Sequence, residues 1–183
     1  SWAAPVPGVI NYPNAGREAG NKIKTAGVEG VATAKTMDRL TQIALETRTA
    51  LEPTVDLYAR MTRSTKELKI SQEDLFKATT IANKAFKAGG AGSTEQASAV
   101  MQLGQALGSG VLSGDELRSI RENAPILAKA IANEFGVTIA GLKKLGEQQK
   151  LTSDKVFKAI LNAEKDVAKQ FAATTSTVLD GGA

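Results

Sequence analysis

Ser113-Gly-Asp-Glu-Leu-Arg-Ser-Ile-Arg-Glu-Asn-Ala-Pro-Ile-Leu-Ala-Lys-Ala-Ile-Ala-Asn-Glu-Phe-Gly136 carries the start, stop and periodicity signals of two short helices in succession. Ser113 and Glu116 stand three residues apart, in the order of a capping box. Leu117 and Ile120 follow at helical spacing. Pro125 disfavours helical backbone at Ala124 and so separates the two helices. Ile126, Leu127, Ala130, Ile131 and Phe135 form the apolar stripe of the second helix, and Gly136 suits the left-handed residue that closes it.

The same punctuation recurs on both sides. Upstream, Ser71 and Asp74 make a variant capping box ahead of a stripe of Leu75, Thr79, Ala82 and Phe86. Gly89-Gly-Ala-Gly92 ends that helix, and Ser93 with Gln96 opens another, with Ala97, Val100, Met101, Gly104 and Leu107 at helical spacing. Gly104 has no side chain and lets a neighbouring helix approach closely; Gly108 and Gly110 then break the chain. Earlier still, a helix is expected from Met37 to Ala50, buried through Leu40, Ile43, Ala44 and Thr47. The next has Pro53 in its first turn, where a missing N–H is harmless. It presents Val55, Tyr58, Met61, Thr62 and Thr65 on one side and pairs Asp56 with Arg60. Downstream, one short helix spans Thr138 to about Gly146. A last one starts near Thr152 or Ser153 and carries Val156, Phe157, Ile160, Leu161, Val167 and Phe171.

These signals predict an all-α fold: a compact bundle of several short helices with an extended N-terminal lead-in. Residues 1–35 are read as that lead-in. Pro5, Pro7 and Pro13 stiffen its start, Trp2, Val9, Ile10 and Tyr12 are available to dock it, and Gly16, Gly20, Gly27 and Gly30 leave the rest weakly helical. Residues 36–172 form the helical domain, and 173–183 a frayed tail or linker. The chain starts at Ser1 without Met, which reads as a fragment of something longer. Three helix starts near residues 71, 113 and 152 resemble one another at solenoid-like spacing, but the segments between them do not align, so common cap chemistry explains them.

Composition narrows function. The 183 residues are 42% hydrophobic and 23% charged, a balance that supports a packed core. Only 4% are aromatic, so that core rests on Leu, Ile, Val, Ala and Met. With no Cys and no His, disulfides, thiolate catalysis, Cys/His zinc sites and His relays are excluded. A net charge of +4, interleaved with acids, reads as a solvated surface rather than a nucleic-acid stripe. No apolar run approaches the ~20 residues that cross a bilayer, and Ser1 to Asn14 has no basic leader, so no signal peptide is read.

Four features bear on chemistry. Glu73/Asp74 and Asp115/Glu116 are adjacent acids of the kind used in glycoside hydrolysis, but each sits in a helix's first turn, where negative charge suits the dipole. Gly89 to Thr94 has the outline of a phosphate loop without its Lys, since Gly92 stands before the Ser, and no strand leads into it. Thr138 to Leu161 has the outline of a helix-turn-helix, with Lys155, Lys158 and Lys165 as its basic contacts beside Asp154, Glu164 and Asp166. No catalytic, cofactor-binding or metal-binding residue and no small-molecule substrate is expected.

The ordered segments from Val100 to Leu161 carry a resemblance. They run Met101-Gln-Leu-Gly-Gln-Ala-Leu-Gly-Ser-Gly-Val-Leu-Ser-Gly-Asp-Glu-Leu-Arg-Ser-Ile, Glu122-Asn-Ala-Pro-Ile-Leu-Ala-Lys-Ala-Ile-Ala, Phe135-Gly-Val-Thr, and Lys150-Leu-Thr-Ser-Asp-Lys-Val-Phe-Lys-Ala-Ile. Thr47-Arg-Thr-Ala-Leu-Glu-Pro-Thr-Val-Asp-Leu-Tyr-Ala-Arg-Met and Ser71 to Lys84 add to them. Together, over about Met37 to Leu161, they resemble the N-terminal domain of bacteriophage and prophage tail tape measure proteins. The resemblance implies a structural protein of phage tail assembly. In that family a long helical protein sets tail length while tube subunits polymerise around it, helped by tail assembly chaperones. It further implies the tail tube protein and those chaperones as partners, a possible homo-oligomer, and a place in the host bacterial cytoplasm during assembly and then in the tail lumen. The family supplies no catalytic residues to carry over. The alternative reading is a helical DNA-binding module built on Thr138–Leu161.

Overall fold

The computed structural model describes the backbone of residues 30–181 and the side chains of residues 33–174. Most of the expected lead-in, including Trp2, Val9, Ile10, Tyr12 and the early glycines, lies outside the described residues. Those described form nine α-helices: α1 Gly30–Thr47, α2 Leu51–Ser64, α3 Gln72–Ala88, α4 Ser93–Ser109, α5 Gly114–Asn123, α6 Pro125–Phe135, α7 Ile139–Glu147, α8 Ser153–Asn162 and α9 Glu164–Gly181. A 3-10 turn at Lys66–Leu68 links α2 to α3, and no named strand occurs among the described residues. The all-α expectation holds.

Local chemistry accounts for most of the boundaries. Ser71 caps α3 by accepting the backbone N–H of Asp74 at 3.1 Å, and Thr138 caps α7 by accepting that of Gly141 at 3.1 Å. Ala124 takes a non-helical φ of −144° before Pro125 opens α6. Gly136 (φ 68°) ends α6 in a Schellman arrangement, with Val137 N–H bonded to Ala132 O and Gly136 N–H to Asn133 O.

Two other helices end the same way without glycine. Thr49 and Arg48 donate to Ala44 and Leu45 at the end of α1, and Lys150 and Gln149 donate to Leu145 and Gly146 after α7. Arg48 (φ 54°) and Gln149 (φ 58°) occupy the left-handed position. This is why α1 stops at Thr47 rather than Ala50. At its other end α1 already begins at Gly30, earlier than the expected Met37, with no proline in between.

Four further expectations need correction. Ser113 precedes α5 but makes no side-chain cap hydrogen bond; Gly114 takes φ 54° there and turns the chain away from capping-box geometry. Met101 is 46% exposed, because the buried face of α4 is instead Gln96, Ala99, Val100, Leu103, Gly104, Ala106 and Leu107. The single last helix is two, α8 and α9, meeting at buried Ala163. No local breaker stands there; the bend lets α8 pack on α6 while α9 packs on α3. Helical backbone also continues past Ala172 through Gly181, into the stretch read as a tail.

The core gathers around α3, which touches α1, α2, α4, α6, α8 and α9. Leu40, Leu57, Met61, Phe86, Leu103, Leu107, Ile120, Leu127 and Phe157 are almost wholly buried. Each such side chain contributes about 1.5–3 kcal/mol by leaving water. The most extensive helix pair is α2 on α4. A Cβ at Gly104 would lie 2.7 Å from Arg60 Cδ, so the missing side chain makes room for the Arg60 side chain of α2. The loop after α4 pairs with the loop before α8: Leu112 N–H bonds Leu151 O at 2.8 Å and Ser153 N–H bonds Gly110 O at 2.9 Å.

Candidate interaction surface

Two of the four candidate acids, Glu73 and Asp115, are paired with arginines. Glu73 accepts two hydrogen bonds from the Arg39 guanidinium of α1, at 2.7 and 3.3 Å. That hydrogen bonding holds the Glu73 carboxyl below the usual carboxylate range and raises Arg39. Asp115 pairs with Arg118 one turn along α5, at 2.7 Å. The Asp154 carboxyl in the first turn of α8 is lowered chiefly by a hydrogen bond with Thr152. Burial raises the Tyr58 phenol, which receives a hydrogen bond from Gln72 at 3.2 Å. Tyr58 stacks on Phe76 at 4.9 Å, and Arg39 covers the same Phe76 ring at 4.9 Å. A guanidinium over an aromatic face is attractive, so this group clamps α1 to α3.

The glycine-rich stretch Gly89–Gly92 is the connection between α3 and α4, and Gly92 is the residue before the helix. In the helix-turn-helix-like segment, Val156, Phe157 and Ile160 of α8 are buried in the core. Lys155 lies 4.5 Å over the Phe135 ring and Lys158 sits 3.6 Å from Glu134. Two of the three lysines that a DNA reading needs are therefore engaged with α6. Among the described residues no group of three or more Cys, His, Asp or Glu is arranged to hold a metal, and no helix is long and apolar enough to cross a membrane.

What the folded body offers outward is a face of grooves. One, of about 520 Å³, runs between α5 and α7 and is lined by Asp115, Arg118, Arg121, Lys143 and Glu147. A second, of about 490 Å³, runs between α4 and α5 past Glu95, Ser98, Gln102 and Glu122. Both include Asp115 and Arg118, so α5 is a charged ridge with a groove on each side. Charges of both signs, shallow walls and few large apolar groups suit contact with another polar protein surface more than capture of a small molecule. Reading the sequence did not find this face, because its charges come from helices brought together only by folding. Elsewhere, exposed Leu45, Leu68, Met101 and Ile139 are scattered over α1, the 3-10 turn, α4 and α7.

A model of the tape measure protein family matches residues 8–181. Neither the characterised proteins nor the solved structures compared with the chain contain a match. With the match spanning nearly the whole sequence, the chain belongs to the tape measure protein family, a structural family of the phage tail.

Proposed function

We propose that this helical body is an assembly module, which organises tail-tube polymerisation through protein–protein contacts as part of the protein that sets tail length. The observation that carries the reading is the family match over residues 8–181. The grooved, mixed-charge face around α5 supports it, since such a surface favours specific, wet contacts between proteins. The arginine partners of Glu73 and Asp115 support a non-enzymatic role. In this reading the tail tube protein and the tail assembly chaperones are the partners, several copies act together, and the protein passes from the host cytoplasm into the tail lumen.

Length setting needs a rod that grows by about 1.5 Å per residue. The described helices run from 9 to 18 residues and fold back on one another. The contribution of this module is therefore docking and organisation, not measurement.

The test is replacement of Arg118 and Arg121 by Glu in the parent phage gene. The expected result is loss of tube-protein capture and few or misassembled tails by electron microscopy. Normal tails in normal number would refute the role. A gel-shift with duplex DNA at low salt is expected to show no complex; a salt-sensitive complex would favour the helix-turn-helix-like alternative instead.

A further inference from the structure

Where α1 turns into α2, a set of polar side chains is buried against α3. Asn83 of α3 is 1% exposed, and its Nδ2 donates to Thr49 and Thr54 at 3.0 Å and to Thr47 at 3.4 Å. The threonines decide which way that amide faces. Thr47 Oγ1 gives its proton to Ile43 O at 2.6 Å, and Thr54 Oγ1 gives its proton to Ala50 O at 2.7 Å. A hydroxyl has one proton, so both oxygens can only accept from Asn83. The nitrogen must face them, and Oδ1 must face the other way.

On that other side, Asn83 Oδ1 is buried without a protein hydrogen-bond partner among the described residues, and so is Nε2 of Gln96, a residue 4% exposed. Both residues line the same cavity of about 110 Å³, together with Arg48, Thr49, Pro53 and Val100. A water needs about 10–15 Å³, so the space admits more than one water or a small organic group. Buried polar groups are ordinarily satisfied, and leaving two of them without a hydrogen bond at one cavity is costly. A cation is disfavoured by Gln96 Nε2 and Arg48; an anion meets Asn83 Oδ1, while the Arg48 guanidinium that could attract it lies 4.8 Å over the Phe171 ring.

We propose that this cavity is a binding site for a neutral group that donates one hydrogen bond to Asn83 and accepts one from Gln96. In the isolated chain that group is ordered water; a primary carboxamide of the Asn or Gln type has the same donor–acceptor pair and displaces it.

The test is NMR on the full chain with the side-chain amides of Asn83 and Gln96 assigned. Water cross-peaks to the Gln96 amide are expected. Acetamide is expected to shift both amides saturably, binding at least about tenfold more tightly than acetate, which has a similar size but no donor. Gln96→Met keeps the packing and is expected to abolish the acetamide response. Absence of water cross-peaks, no saturable response to acetamide, acetate binding as well as acetamide, or an unchanged response in Gln96→Met would each overturn the assignment.

Discussion

The carbonyl oxygen of Asn123, at the end of α5, occupies the space where a side chain on Gly89, at the end of α3, would begin. The contact joins residues 34 positions apart in sequence and fixes how closely the first half of the body meets the second. Gly89→Ala is therefore expected to destabilise the fold by about 2 kcal/mol through overpacking. Gly108, near the end of α4, has open space around its missing Cβ, and Gly108→Ala is expected to stabilise by about 0.5–1 kcal/mol. Urea unfolding of the two variants checks the contrast; shifts in the same direction would count against the packing described.

The end of α7 invites the opposite substitution. Gln149 holds a left-handed conformation that a glycine adopts freely. Gln149→Gly is expected to raise stability by about 0.5–1 kcal/mol, read as a higher urea midpoint. A lower midpoint would mean that the Gln149 side chain makes a contact worth more than the backbone strain.

Asn83→Asp tests the polar group under α1 and α2. The substitution sets a carboxylate against the oxygens of Thr47 and Thr54, whose protons are committed to backbone carbonyls. A loss of about 3 kcal/mol or more is expected, beyond that of an ordinary surface change. Thermal unfolding within about 0.5 kcal/mol of the parent would show that the threonines turn freely.

Glu73 supplies a pH prediction. Its carboxyl is lowered in the folded state by hydrogen bonding to Arg39, so the folded form holds fewer protons than the unfolded form as glutamate titrates. The resulting stabilisation is present above the pH where an unfolded glutamate ionises and is lost as pH falls through the folded midpoint. Carboxyl NMR is expected to place the Glu73 midpoint below that of an ordinary glutamate, and Arg39→Ala to bring it back up. Both groups are well exposed, so salt is expected to weaken the difference. An unmoved midpoint in Arg39→Ala would rule out the pairing.

Phe171 anchors α9. Arg48, just after α1, lies 4.8 Å over its ring and Lys84 of α3 lies 5.5 Å away. Phe171→Ala is expected to speed amide exchange along α9 selectively, by an amount equivalent to about 1–2 kcal/mol, while α2 and α4 keep their protection. Uniform loss across all helices would show that α9 unfolds only with the whole.

Much of this architecture is written locally. The Ser71 cap, the Ala124–Pro125 break, the Gly136 stop and the 3.6-residue stripes each act between residues no more than about five positions apart, so a linear reading finds them. The Asp56–Arg60 pair is realised at 2.9 Å for the same reason. The absence of His and Cys likewise excludes whole classes of chemistry before any fold is known.

Other features have no local signature. Arg48 and Gln149 do glycine's work at helix ends because neighbouring backbone bonds hold them there. Ala163 becomes a bend because α8 packs chiefly on α6 and α9 chiefly on α3, and Met101 turns outward because α2 covers an adjacent strip of α4. The α5 ridge with its two grooves and the Asn83–Gln96 cavity arise when residues more than a dozen positions apart are packed side by side. Capping and periodicity are interactions of near neighbours and so belong to the sequence itself; packing partners and cavities depend on which distant surfaces meet, and the folded chain alone decides that.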